Sequence, residues 1–144
     1  MAFVLSNEGE KLLLDAAVGK VAAGNLKLKL FQNNVTPGHA DTTATYTVAT
    51  FTGYTTVTLT TSSWNAGVAG TGTGTALANK ASIDYAQQTF TMGTPGTTNT
   101  IYGYYITDNA ETTLLGAEKF STAKSMAVSG DAIKITPKLT LSTE

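Results

Sequence analysis

The sharpest alternation of apolar and polar residues in the chain is Leu26-Lys27-Leu28-Lys29-Leu30. Side chains of a strand point to opposite faces with a period of two, so this pattern puts three leucines on a core and two lysines in water. The reading is a half-buried strand over 25–32, whose lysines would also suit an exposed sheet edge. A second pattern lies in Ile101–Phe120, where two aromatic and β-branched runs flank the polar connection Asp108-Asn109-Ala110-Glu111-Thr112-Thr113. That is the signature of a β-hairpin. Its first run places Tyr102, Tyr104 and Ile106 on a strongly apolar face. Gly103 between two tyrosines leaves room for a neighbouring ring or backbone.

Only one stretch has helical spacing. Asn7 and Glu10 stand at capping-box separation ahead of Lys11-Leu12-Leu13-Leu14-Asp15-Ala16-Ala17-Val18. This predicts a short amphipathic helix from Glu8 to Val18, ended by Gly19 or Gly24, with Leu13, Leu14, Ala17 and Val21 toward the sheets. Ahead of it, Phe3-Val4-Leu5 forms an apolar arm with no evident place in a strand ladder. Further runs suited to strands are Thr55–Thr61, Ala81–Tyr85, Gln88–Met92, Met126–Val128 and Ile133–Leu141. Pro137 lies inside the last and cannot donate a ladder hydrogen bond, which implies an edge or a bulge there. Trp64 reads as a core anchor after the Thr-rich strand. A loop is expected from Asn33 to Tyr46, with a weak strand at Tyr46–Val48, and a Gly-rich surface loop or hairpin tip from Asn65 to Asn79. About eight strands at short, irregular spacing predict an all-β sandwich or barrel with one short N-terminal helix. One domain over 1–144 accommodates this, with the arm and helix in 1–24 and the sandwich in 25–144.

Composition narrows the function. Only 13% of residues are charged and the net charge is -1, so no overall field favours nucleic acid or an anionic membrane. Cysteine is absent, which excludes disulfides, thiol nucleophiles and zinc–thiolate sites. The chain fits a reducing cytoplasm. The first residues lack the basic region of a signal peptide, and no run approaches the ~18 apolar residues of a membrane span.

Candidate chemistry is thin. His39 is the single histidine, in a Pro-Gly loop two residues before Asp41. No nucleophile elbow accompanies it, and a solvated loop histidine is the expectation. Asp84, Asp108, Glu118 and Asp131 could supply the paired carboxylates of a glycosidase, but their spacing selects no pair. His39 with Asp41 gives at most two metal ligands. The expectation is therefore no catalytic residue, no cofactor and no metal: a protein that is not an enzyme.

The order of these pieces resembles a family of small virion structural proteins of tailed bacteriophages. The matching segments are 1–10 (Met1-Ala2-Phe3-Val4-Leu5-Ser6 onward), Asn25–Phe31 with Asn33–Pro37, and Phe51-Thr52-Gly53-Tyr54. Gln88-Thr89-Phe90, Ile101–Thr107, Leu114–Phe120 and Gly130–Pro137 follow in the same order. The resemblance spans nearly the whole chain. It departs at Gly116, where the family often has a bulky aromatic, and in the long Gly-rich segment after Trp64. It implies a jelly-roll-like antiparallel β-sandwich acting as a capsid decoration (cement) protein, often a homotrimer. The implied partners are the major capsid protein and itself, with neither nucleic acid nor membrane. The implied location is the capsid exterior, after synthesis in the host cytoplasm. Phe3, Val4 and Leu5 are then the candidate partner-binding residues, and the competing arrangement packs the arm onto its own sandwich. A rival function is a tail-associated module that binds a host glycan through the tyrosines.

Overall fold

The structure, a computed structural model, describes residues 2–22, 24–71, 80–94 and 96–141. Its strands are β1 (Val4–Leu5), β2 (Leu26–Phe31), β3 (Val57–Leu59), β4 (Ala81–Asp84), β5 (Gln88–Thr91), β6 (Asn99–Asp108), β7 (Leu114–Met126), β8 (Ala132–Ile135) and β9 (Lys138–Leu141). One α-helix, α1, spans Asn7–Ala17. All pairings between these strands are antiparallel, and the fold is the expected all-β sandwich with a short N-terminal helix.

The first layer is a five-stranded sheet in the order β1-β7-β6-β2-β3. The hairpin expected in Ile101–Phe120 forms its centre as β6 and β7. β7 runs on to Met126, so the separate strand expected at Met126–Val128 does not exist. The Thr-rich run yields only the three residues of β3. β2 is the strand expected from the Leu-Lys alternation, but it lies between β6 and β3, so Lys27 and Lys29 do not guard an edge. They bond across the surface instead, Lys27 Nζ to Thr58 Oγ1 at 2.7 Å and Lys29 to the Glu111 carboxylate.

The second layer is a bent ribbon. β4 pairs with β9 and β5 with β8, and Tyr85 N donates to the Pro137 carbonyl between the two ladders. The register changes by one residue at this point, opposite Pro137, which gives the bulge that a strand proline requires. On the other side of β4, Val68 and Ser82 exchange backbone hydrogen bonds of 2.7 and 2.9 Å. Trp64 bridges Tyr85 and meets its ring edge-on at 5.2 Å, close to its expected anchoring role. Residues 72–79 of the Gly-rich segment lie outside the described residues.

Between the layers, Leu28, Leu30, Leu59, Ile101, Tyr104, Ile106 and Leu115 of the sheet meet Tyr85, Phe90, Ile133 and Ile135 of the ribbon. The opposite face of the sheet has its own apolar cluster of Phe31, Tyr46, Tyr105, Leu114 and Ala117. Tyr46, at the end of the 33–46 loop, covers it, with its ring 4.9 Å from Phe31 and 5.1 Å from Tyr105. β6 is therefore buried on both faces. A register shift between Ile101 and Gly103 also breaks the expected parity: Ile101 joins Tyr104 and Ile106, while Tyr102 goes to the other side.

Ser6, not Asn7, caps α1. Its Oγ accepts from Gly9 N at 2.9 Å and donates to the Leu114 carbonyl at 2.5 Å. Gly9 lies flat against the Leu115 backbone, where a Cβ would collide with the carbonyl. That contact turns Gly9, Leu12, Leu13 and Ala16 toward the sheet. Leu14, at 69% exposure, and Val21 face outward, contrary to expectation. The helix closes, as expected, at Gly19 with φ 73°. Ser6→Ala removes the cap and leaves a buried carbonyl without its partner. We expect a loss of ~2 kcal/mol in urea denaturation. A loss below ~0.5 kcal/mol would show that the helix docks without this link.

Candidate functional site

Each residue with candidate chemistry has a local structural role. His39 is exposed, and its carbonyl accepts from Asn7 N at 2.8 Å, tying the loop to the start of α1. Asp41 accepts from Gly38 N at 2.8 Å and from the Tyr46 hydroxyl at 2.7 Å. Burial of the Tyr46 phenol, with Asp41 beside it, pushes its pKa far up, so it remains a donor. The Asp84 carboxylate accepts from Asn65 Nδ2 at 2.7 Å. Asp131 accepts from Ala127 N and Val128 N at the turn before β8, bonds that hold its carboxyl below the ordinary range. Among the described residues no three His, Asp or Glu side chains converge in a way that could hold a metal ion.

Asp108 organises the β6–β7 turn. It accepts from Thr112 N at 2.8 Å and Thr113 N at 3.0 Å, while Glu111 adopts φ 63°. Burial alone would raise the Asp108 pKa, but these hydrogen bonds outweigh it and the net shift is downward. A depressed folded-state pKa adds stability that is present above the unfolded value of ~3.9 and lost as pH falls through the folded one. Below about pH 4 the melting temperature should fall, and Asp108→Asn should make that acid limb shallower. Identical acid limbs in the two proteins would remove Asp108 from the linkage.

Two tyrosines of β6 are interior residues. Tyr104 and Tyr105 are 4% and 3% exposed. Burial, then the negative charge of Glu118, pushes the Tyr104 pKa far up, and its hydroxyl donates to the Glu118 carboxylate at 2.8 Å. Burial pushes Tyr105 up to about 12. A sugar cannot stack on Tyr104 or Tyr105, while Tyr102 and Tyr54 are half-buried. The Phe51–Tyr54 segment is likewise architectural. Phe51 is buried, and the Tyr54 hydroxyl accepts from Leu30 N at 3.1 Å while its ring stacks on Phe90.

Contrary to expectation, the apolar arm has a place in a ladder. Val4 pairs with Ala117 and Leu5 with Gly116, making β1 an edge strand of the sheet. The Phe3 ring stacks on Tyr104 at 6.0 Å. Gly116 permits this, because a Cβ there would meet the Val4 carbonyl and lie 2.6 Å from the Phe3 ring. The space that a bulky aromatic would need at 116 is thus taken by Phe3. Sequence pattern marked the arm as apolar, and only the β7 contact shows where it goes.

The surface around α1 is apolar and bears no local role among the described residues. Leu14 and Val18 project from the helix at 69% and 71% exposure. On one side a cavity of about 320 Å³ is lined by Leu5, Leu13, Val68, Ile83, Leu139 and Leu141. On the other, a cavity of about 400 Å³ separates Leu12, Ala16 and Val21 from Asn109 and Ala110 of the β6–β7 turn. Clustered exposed apolar groups of this kind mark contact surfaces. No family model matches the chain, and no curated protein matches it.

Proposed function

We propose that this protein is a structural component of a tailed-phage virion, a head decoration protein that binds the outside of the assembled capsid and reinforces it. The observation that carries the reading is the collinear order of motifs from the N-terminal arm to the Gly130–Pro137 segment. A sandwich whose tyrosines, histidine loop and carboxylates serve its own architecture is compatible with a role in binding and reinforcement. The major capsid protein and further copies of this chain, as a homotrimer, are its partners. The arm would contribute through the outer edge of β1, not as a free apolar tail. The apolar surface around α1 offers a second contact.

Such a protein stabilises the shell by mass action, because it binds the assembled lattice. With net charge -1 its contacts must be mainly apolar and hydrogen-bonded, so occupancy should fall only weakly with salt. The test compares particles with and without the protein. Hundreds of copies per virion and greater resistance to heat and osmotic shock are expected. A few copies per virion, or equal resistance of bare particles, would overturn the reading, and a few copies would favour the tail module.

A further inference from the structure

We propose that the groove between β7 and β8 takes an extended acidic segment of another protein as an added strand. Two sheet edges open onto it. Among the described residues β8 pairs with β5 alone. Met92 N donates to the Asp131 carbonyl, and antiparallel bonding alternates from residue to residue, so Phe90 with Ile133 is a hydrogen-bonded pair. The N–H and C=O groups of Ala132 and Lys134 therefore point away from β5, toward the open side. β7 is covered by β1 only at Gly116 and Ala117. From Phe120 to Met126 that side of β7 has no strand partner among the described residues. In the same stretch β7 also bulges away from β6, between the Lys119 and Lys124 pairings.

The groove between these edges is about 500 Å³, lined by Glu118, Phe120, Ser121, Thr122 and Lys124 of β7 with Ala132, Ile133 and Lys134 of β8. A residue of extended chain in a sheet occupies ~3.3 Å by ~4.8 Å by ~10 Å, so roughly three residues fit. Phe120 and Ile133 supply an apolar floor for alternate side chains. Lys124 and Lys134 supply two positive charges against the one negative charge of Glu118, whose carboxylate accepts the Tyr104 hydroxyl, so the groove carries a net positive charge. Main-chain bonding to an open edge gives affinity, and alternate side-chain positions give selectivity. The net positive charge favours an acidic segment over a basic one. The occupant is defined by this chemistry and does not depend on the capsid reading.

The test uses the full chain and a capped eight-residue peptide alternating valine and glutamate. Amide hydrogen exchange is followed by NMR at Ala132 and Lys134, with the ladder amides of Phe90 and Ile133 as internal controls. Peptide at millimolar concentration should slow exchange at Ala132 and Lys134 at least tenfold and leave the controls unchanged. A valine–lysine peptide should give no protection, and Lys124→Glu with Lys134→Glu should reverse the preference. Equal protection by both peptides, or none by either, would overturn the proposal, and the unmodified chain decides this even if the variant fails to fold. Protection that appears without peptide and grows with protein concentration would also overturn it, because a second copy would then cover the edge.

Discussion

Gly103→Ala is expected to destabilise the domain by about 3 kcal/mol or more, at the upper end of what an overpacked core costs. A Cβ at this position would collide with the Glu118 carbonyl of β7 and lie 2.5 Å from the Phe31 ring. The ring could rotate or be shortened. The carbonyl belongs to the central β6–β7 ladder, where Tyr104 pairs with Glu118, and could shift only with that ladder. Adding Phe31→Leu should therefore fail to rescue the variant. Thermal denaturation measures this, with a fall in melting temperature on the order of 10 °C for a chain of this size. A loss below ~1 kcal/mol, or full rescue by Phe31→Leu, would mean that the ring and not the backbone sets the requirement for glycine.

Ile135→Ala is expected to cost roughly 2–5 kcal/mol. Ile135 is 4% exposed, pairs with Gln88 and joins the cluster between sheet and ribbon. Truncation removes apolar contacts from the layer that holds the sandwich together, next to the Pro137 bulge, where the backbone has little freedom to close the gap. Urea denaturation gives the value directly. A loss under ~0.5 kcal/mol would show that the ribbon packs loosely on the sheet. Lys134→Ala, one residue away with its side chain exposed, should change stability little.

Local signals in the sequence suffice where the deciding contacts lie close together along the chain. The Leu-Lys alternation gave β2, the Asp-Asn connection marked the β6–β7 turn, and Pro137 marked a bulge. The errors share a different cause. Ser6 outcompetes Asn7 as cap because its hydroxyl also reaches the Leu114 carbonyl, a bond across 108 residues. Leu14 faces outward because Gly9 against Leu115, and not the leucine pattern, sets the rotation of the helix. The parity of β6 failed at a bulge that no residue type announces. Of the candidate site, the apolar arm was visible as composition, but its partner strand was not. The groove between β7 and β8 could not be read at all, since it arises from which edges remain unpaired once both layers are assembled.

The pairing of β1 with β7 also fixes an order of events during synthesis. Val4 leaves the ribosome about 110 residues before Ala117, the residue it pairs with. At ~5–20 residues per second that interval lasts between about 5 and 20 seconds. Throughout it, Phe3 has no Tyr104 to stack on, Gly9 has no strand to lie against, and the Ser6 hydroxyl has no Leu114 carbonyl. The arm and helix therefore cannot complete these native contacts until β7 has been synthesised. They wait as a nascent apolar segment, within reach of chaperones, and close onto the sheet only after the central hairpin has been made.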